Sequence, residues 1–166
     1  MVNLKKILVT TDLSEHSAAA FDYAFSFGLL YASKMYVLYV AESAVSPFAL
    51  YGSDSDKQLY AAQANETSRE RLDQFVRSHI GTERKVVPVV RFGVPSEEII
   101  AFAEEERMDL IVMATHGRTG LQHIVLGSVA ERIVRRSHVP VLTVKPKKLR
   151  EDIVRAEDVE LELHLK

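Results

Sequence analysis

Five short apolar runs, separated by stretches of helical periodicity, are the feature that most restricts how this chain folds. They are rich in Val, Ile and Leu and lack the polar alternation of a strand with one face in water. The runs are residues 6–11, 35–41, 84–92, 109–114 and 139–144. Strands of this kind are covered on both faces. Their alternation with helices predicts the α/β class: an open, doubly wound, five-stranded parallel sheet flanked by helices.

Helical patterns occupy the segments between the strands. The first follows strand one, where Asp12 or Ser14 is expected to cap the helix. The others are residues 57–79, 95–106 and 128–137. In the second helix the side chains expected to face inward are Leu59, Ala62, Leu72, Phe75 and Val76.

Proline and glycine predict where the regular structure is interrupted. Residues 42–56 mix Ser, Pro, Gly and Asp, which is typical of a surface loop. Pro88 lies inside the third strand and has no N–H group to donate to a neighbouring strand. The third strand is therefore predicted to lie at a sheet edge or to contain a bulge.

Composition excludes several classes of protein. The 166 residues suit one domain, and 47% hydrophobic and 27% charged residues are ordinary globular usage. A formal net charge of -2 argues against a nucleic-acid partner, which needs a concentrated basic face. Without cysteine there is no disulfide and no Cys-ligated zinc. The apolar run before Asp12 is too short for a signal sequence or a membrane span, so we expect a cytoplasmic location and no membrane partner.

The loop after the fourth strand is unusually rich in glycine. It contains Gly117, Gly120 and the pair Gly127-Ser128, and the pair precedes the last helix. Exposed backbone N–H groups at a helix amino terminus can cradle a phosphate, and Arg118 can add a charge-assisted contact. The alternative is a glycine-rich turn that serves only the packing of the loop, and glycine spacing alone does not decide between the two.

A second polar segment, Thr10-Thr11-Asp12, lies where the first strand ends, at the same edge of the sheet. Asp12 can cap the next helix, or it can hold a ribose hydroxyl or a base. The Walker P-loop, the dinucleotide fingerprint, the nucleophile elbow and the zincin helix are all absent from the sequence. His116 and His123, without a nearby carboxylate or cysteine, are weak evidence for a metal site.

Several motifs in order resemble the universal stress protein family, over nearly all of residues 3–146. They are KILVTTDLSEHS, THGRTG, LGSVAERIV and HVPVLTV. Nucleotide-binding members of that family carry G-x2-G-x9-G-[ST] after the fourth strand. Here Gly117 and Gly127-Ser128 match that spacing, and Ala114 replaces the first glycine.

The resemblance implies ATP, ADP or AMP bound across the strand ends, with Mg²⁺ held by the phosphates, in a homodimer paired through the last strand. It places Thr10, Thr11 and Asp12 beside the base and ribose, and the Val40 backbone against the adenine. The ribose and phosphates would meet Met113, Ala114 and Gly117, and the phosphates would meet Gly127, Ser128, Val129 and Ala130. His116 and Arg118, in the same loop, complete the candidate binding set.

The replacement of glycine by Ala114 puts a methyl group where the backbone must approach the nucleotide. If that position needs a positive φ, alanine costs on the order of 1 kcal/mol relative to glycine; if φ is negative, the methyl group is harmless.

Residues 1–146 form the predicted family domain, and residues 147–166 are an extension beyond it. Residues 159–166 alternate strictly, with Val159, Leu161, Leu163 and Leu165 on one face. This pattern predicts a strand or strand-like arm that stabilises the dimer, against the alternative of a frayed terminus.

Three functions remain open on the sequence. The first is an ATP-binding, homodimeric regulatory module of the stress response, acting on a regulated protein that the sequence does not name. The second is a slow ATPase or autophosphorylating enzyme, for which Asp12, His116 and His123 are the candidate basic or water-positioning groups. The third is a nucleotide-free dimeric scaffold, suggested by Ala114.

Overall fold

One five-stranded parallel sheet organises the computed structural model, which describes residues 2–41, 53–80, 85–117 and 126–146. Its strands, in chain order, are β1 (Lys6–Thr11), β2 (Lys34–Ala41), β3 (Val86–Phe92), β4 (Leu110–Ala114) and β5 (Val141–Val144). Their order across the sheet is β3-β2-β1-β4-β5, and every pair is parallel. The predicted doubly wound α/β fold is confirmed. The arm predicted within residues 147–166 lies outside the described residues.

The described helices cover both faces of this sheet: α1 (Glu15–Tyr31), α2 (Asp54–Ile80), α3 (Pro95–Glu105) and α4 (Ser128–Arg136). Helices α1 and α2 pack on one face and α3 and α4 on the other, so that two hydrophobic cores flank the strands. None of these helices, within the described ranges, is both long and apolar enough to cross a membrane.

Strand β1 shows why the strands lack polar alternation. Ile7 and Val9 belong to the core under α1 and α2, while Leu8 belongs to the core under α3 and α4. All three side chains are fully buried. Each such burial stabilises the fold by roughly 1.5–3 kcal/mol, so the centre of the strand, Ile7 to Val9, has no position at which a polar side chain would be favoured.

The strand order creates a crevice at one edge of the sheet. From β1 the chain builds outward to β2 and β3, and it then returns to place β4 on the other side of β1. The connections after β1 and β4 therefore leave in opposite directions, which separates the loops at the carboxyl ends of these two strands.

Pro88 lies in β3, opposite Val37 of β2, and β3 is an edge strand as predicted. A proline is tolerated there because an edge strand forms ladder hydrogen bonds along one side only.

The predicted end of the loop at 42–56 is wrong, because α2 begins at Asp54 and not near residue 57. Ser53 and Asp56 cap the amino terminus of this helix by hydrogen-bonding to each other. The Asp56 N–H donates to Ser53 Oγ at 3.3 Å, and the Ser53 N–H donates to Asp56 Oδ2 at 3.0 Å. The pattern is a capping box with aspartate in place of glutamate, and it was overlooked among the loop-forming residues. Residues 42–52 lie outside the described part.

Leu59 and Ala62 were also wrongly predicted to face inward. Both are exposed, Leu59 by 60% of its surface, and the buried residues of α2 begin only at Ser68. The helix has 27 residues and is about 40 Å long, whereas the eight residues of β2 span about 26 Å. The first half of α2 therefore extends past the sheet. The other three inward predictions are confirmed by the burial of Leu72, Phe75 and Val76.

Candidate functional site

A cleft of about 320 Å³ opens at the crevice between the carboxyl ends of β1 and β4. This volume is within the range of small-molecule sites. The cleft is lined by every predicted site residue that the structure describes: Thr10, Thr11, Asp12, Val40, Met113, Ala114, His116, Gly117, Gly127, Ser128, Val129 and Ala130. Arg118, also predicted, lies outside the described residues.

Further lining residues were missed from the sequence: Ser17, Tyr39, Pro95, Ile99 and Thr115. Pro95 and Ile99 come from the start of α3, which directly follows β3. The signal that could have found them is the turn at residues 93–96, because in a parallel sheet it must lie at the same carboxyl edge as the loops after β1 and β4.

Asp12 is held in a defined orientation where β1 ends. The backbone N–H of Ser14 donates to Asp12 Oδ1 at 3.1 Å, and the Ser14 hydroxyl donates to the same oxygen at 2.6 Å. Ser14 is also the N-cap of α1 and accepts the Ser17 N–H at 3.3 Å. Of the two capping residues predicted, Ser14 caps the helix, while the Asp12 carboxylate contributes to the cleft wall.

Buried hydroxyl groups support this turn from below. Ser17 Oγ donates to the Ser14 carbonyl at 2.7 Å, so its remaining hydrogen bond, to Thr11 Oγ1 at 2.7 Å, is one that it accepts. Thr11 Oγ1 in turn accepts the Leu13 N–H at 2.9 Å. Leu13 has a φ of 65°, an unfavourable conformation for leucine that these contacts hold in place.

Two glycines of the loop after β4 are in close contact with neighbouring groups. A β-carbon on Gly117 would lie 2.2 Å from Asp12 Oδ2, and one on Gly127 would lie 3.0 Å from the Thr115 carbonyl oxygen. Gly127 also donates its N–H to that carbonyl at 2.8 Å. Glycine at both positions lets the backbone line the cleft closely.

Helix α4 begins in the cleft wall. Its N-cap is Gly127, which has no side chain to accept a hydrogen bond from the first N–H groups of the helix. The next three residues, Ser128, Val129 and Ala130, all line the cleft. The first N–H groups of a helix have no partner within the helix, and the amino terminus carries roughly half a positive charge. This part of the cleft favours an anion.

The cleft also has an apolar wall. Val40, Ile99 and Met113 are buried members of the core between the sheet and helices α3 and α4, and they also line the cleft. A flat, apolar group can therefore be placed against the sheet while an anionic group reaches α4.

Ala114 has ordinary strand backbone. It pairs with Val144 in the parallel ladder between β4 and β5. Among the described non-glycine residues, positive φ occurs at Leu13, Ala32 and Arg107. The cost of alanine in a left-handed conformation, considered from the sequence, does not arise at this position.

His116 is buried beside the cleft, with its Nδ1 atom 2.9 Å from Thr115 Oγ1. The second histidine of the weak metal prediction, His123, lies outside the described residues. Within the part of the chain that is described, no group of three or more His, Asp or Glu side chains is arranged to hold a metal ion.

Comparison with known proteins gives consistent matches. The model of the "Universal stress protein family" matches residues 3–145. Universal stress protein MJ0531 of Methanocaldococcus jannaschii is 39% identical over 145 residues, covering 87% of this chain and 84% of the relative.

Solved structures share the fold. That of the hypothetical protein MJ0577 superposes with a TM-score of 0.70 at 32% identity and covers 88% of this chain and 99% of its own. A universal stress protein in complex with cAMP gives a TM-score of 0.58 at 22% identity, covering 86% of this chain and 98% of its own. At this lower identity the likeness is one of fold.

Proposed function

The chain belongs to the universal stress protein family, and we propose that it is a homodimeric regulatory module of the stress response that binds an adenine nucleotide. One observation carries the proposal. A single cleft combines the amino terminus of α4, an apolar wall and two glycines, Gly117 and Gly127, whose neighbours leave no room for a side chain. A phosphate, a sugar and a base require surroundings of these three kinds.

The α4 end of the cleft suits the phosphates. A β-carbon at Gly127 would press against the Thr115 carbonyl, so glycine keeps the backbone accessible just where the helix begins. We propose that the N–H groups of Ser128, Val129 and Ala130 donate to phosphate oxygens. The Ser128 hydroxyl is available to the phosphates or to a Mg²⁺ ion that enters with ATP, and the bound Mg²⁺ would supply positive charge against the phosphates.

The apolar end suits the base. Val40 at the end of β2, with Met113 and Ile99, forms a wall against which adenine can lie, and the Val40 backbone offers polar contacts to its edge. Thr10, Thr11 and Asp12 border the position left for the ribose. A carboxylate such as Asp12 only accepts hydrogen bonds, and sugar hydroxyls donate them. The solved structure of a universal stress protein in complex with cAMP also supports the proposal that this fold binds an adenine nucleotide.

The outer edge of β5 supports the proposed homodimer. β5 ends the sheet on one side, and Val141, Leu142 and Thr143 are only partly buried in the single chain. Pairing with a second β5 would complete the backbone hydrogen bonds of the edge and cover these side chains. We further propose that residues 147–166 form a separate arm that adds to this dimer beyond the domain of residues 1–146. A cytoplasmic location remains the prediction drawn from the sequence.

The test is to identify and count bound nucleotide. Small molecules released by denaturing the purified protein are analysed by mass spectrometry. The emptied protein is then titrated with AMP, ADP and ATP, with and without Mg²⁺, by calorimetry. We expect about one adenine nucleotide per chain. Gly127→Val should abolish binding, while Gly28→Ala, in α1 and outside the cleft lining, should retain it, because its β-carbon would lie 2.7 Å from Met35 Sδ, a flexible side-chain atom. A folded chain that binds none of the three nucleotides would favour the scaffold.

A measurement of ATP hydrolysis distinguishes the regulatory binding module from the slow ATPase. Asp12 and His116 both line the cleft, so hydrolysis must be measured directly. Stoichiometric ATP that remains intact during prolonged incubation supports the binding module. Linear release of phosphate that is lost in Gly127→Val and absent from a mock purification would instead support the slow ATPase.

A further inference from the structure

Helix α1 ends in exposed apolar side chains. Its last three residues are Leu29, Leu30 and Tyr31, which are exposed by 88%, 73% and 37% of their surface. Single exposed apolar residues are normal in proteins, but several together are typical of a surface that another chain or segment covers. The end of α1 is therefore a candidate interaction surface.

The segment before β1 brings a fourth apolar side chain close to these three. The Ser33 hydroxyl donates to the Leu4 carbonyl. The Lys34 N–H donates to the Lys5 carbonyl at 2.8 Å, so this segment lies against the turn that follows α1. Val2, two residues before Leu4, is exposed by 69% of its surface. We call Val2, Leu29, Leu30 and Tyr31 the α1-end patch, and it lies at the amino edge of the sheet, where β1 and β2 begin.

The chain itself contains a segment suited to this patch. Residues 159–166, which lie outside the described residues, alternate strictly, with Val159, Leu161, Leu163 and Leu165 on one face. In an extended chain, side chains on one face follow one another at about 7 Å, so this apolar face would be about 20 Å long. Its burial requires an apolar surface, whereas Glu160 and Glu162 on the other face suit water.

The proposed dimer needs more contact than β5 alone offers. β5 has four residues, so its outer edge is only about 13 Å long. A stable interface between two proteins buries roughly 1,200–2,000 Å² in total. Two strands of this length supply only part of that area, and two apolar arms, one from each chain, would supply more of it.

The direction of β5 favours the patch of the second chain over that of the same chain. A two-fold axis perpendicular to the sheet pairs two β5 strands antiparallel, so that the carboxyl end of one lies at the amino edge of the other sheet. The chain beyond Pro146 would therefore start near the edge where α1 of the second chain ends. Residues 147–158 can span up to about 40 Å. The patch of the same chain lies a full strand length away, at the opposite edge of its own sheet.

We propose that residues 159–165 of each chain dock on the α1-end patch of the other chain in the dimer. This inference rests on the proposed homodimer, and it names the surface that the arm within residues 147–166 occupies. The apolar face of the arm covers the patch, and its carboxylates stay in water. The patch and the nucleotide cleft lie at opposite edges of the sheet, so the exchange of arms stabilises the dimer without contributing to the cleft.

Cysteine cross-linking tests this contact, because the chain has no cysteine of its own. A Leu30→Cys chain and a Leu163→Cys chain, with tags of different length, are co-expressed and oxidised mildly. We expect a disulfide-linked heterodimer on a non-reducing gel, and little covalent dimer from either chain alone. Arg135→Cys replaces Leu30→Cys in the control, because Arg135 is exposed on α4, on the other face of the sheet. The control should give little heterodimer.

Dimer dissociation, measured by analytical ultracentrifugation of the full-length chain, gives a second readout. Leu30→Glu and Leu163→Glu should each raise the dissociation constant at least about tenfold, because a charge would enter the apolar contact. The two changes together should cost little more than either alone, because both remove the same contact. Leu59→Glu, at an exposed leucine of α2 outside the patch, is the matched control and should leave dissociation within about twofold of wild type.

The outcomes distinguish the inference from the proposal beneath it. A wild-type dimer without the heterodimer cross-link, or a dissociation constant unchanged by Leu30→Glu, would overturn the inference and leave the proposed homodimer intact. The double variant Leu30→Cys/Leu163→Cys adds one more check, since a cross-link that forms within single chains would overturn docking on the other chain. A wild type that stays monomeric at every concentration would overturn both the inference and the proposed homodimer.

Discussion

Asp12 and Gly117 follow neighbouring strands, and they pack so closely that a β-carbon on Gly117 would lie 2.2 Å from Asp12 Oδ2 and 3.0 Å from Asp12 Cγ. Among the described glycines the left-handed backbone occurs at Gly93, so Gly117 is required here for space and not for its conformation. This contact lies between the two loops that form the cleft. The position of the Asp12 carboxylate therefore depends on the size of the side chain at residue 117.

Gly117→Ala should therefore weaken nucleotide binding by displacing the Asp12 carboxylate. The new methyl group cannot share the position of Oδ2, and Ser14 opposes the movement through Oδ1. Overpacking of this kind costs about 1–3 kcal/mol of folding free energy. We expect an AMP affinity lowered by at least ~10-fold, measured by calorimetry alongside urea unfolding.

A double-mutant cycle identifies the cause. In the background Asp12→Ala, where the carboxylate is gone, Gly117→Ala should cost clearly less stability than in the wild type. Equal costs in the two backgrounds would show that the methyl group collides with something other than Asp12.

Gly127→Ala should destabilise the chain for a different reason. The neighbour of the added β-carbon is the backbone carbonyl of Thr115, which already accepts the Gly127 N–H and is less able to move than a side chain. The backbone of Gly127 has φ -64° and ψ 155°, which alanine adopts readily, so the cost is one of contact. We expect a loss of about 1–3 kcal/mol in urea unfolding, with weaker nucleotide binding. The Gly28→Ala variant should show no comparable loss of binding.

Ala114→Gly should not improve nucleotide binding, although it restores the glycine of the family motif. Ala114 already has strand backbone paired with Val144, so glycine removes no strain. Glycine inside a strand costs roughly 0.5–1 kcal/mol relative to alanine. We predict slightly lower stability and an AMP affinity within about threefold of wild type. A chain that acquires nucleotide binding only on this substitution would support the scaffold hypothesis.

Ser53→Ala should raise the pKa of Asp56 toward its ordinary value. Hydrogen bonds from the Ser53 hydroxyl, at 2.6 Å, and from the Ser53 N–H lower the pKa of the Asp56 carboxyl in the folded chain. A pKa below the unfolded value means that the cap stabilises α2 above the unfolded pKa and loses this effect as the pH falls through the folded pKa. Carboxyl chemical shifts followed by NMR between acid and neutral pH measure the change. The same titration midpoint in wild type and variant would contradict it.

Much of the fold could be predicted because apolar pattern and turn chemistry are local. The apolar centre of β1 and the apolar β4 predicted a doubly covered sheet, and Pro88 predicted an edge strand or a bulge. The start of α2 was missed because Ser53 and Asp56 look like loop residues until their reciprocal hydrogen bonds are seen. Leu59 was assigned inward because periodicity shows which face of a helix is apolar and does not show where the sheet beneath it ends.

The sequence by itself determined the fold class, the family and the pair of loops that line the cleft. The loops could be predicted because the carboxyl ends of parallel strands lie at the same edge of the sheet, whatever the structure of the residues between the strands. Only the tertiary structure decided that Asp12 meets Gly117 and that Ala114 keeps a negative φ at the end of β4. These two facts depend on distances and dihedral angles set by packing between segments far apart in the chain, and no local pattern encodes them.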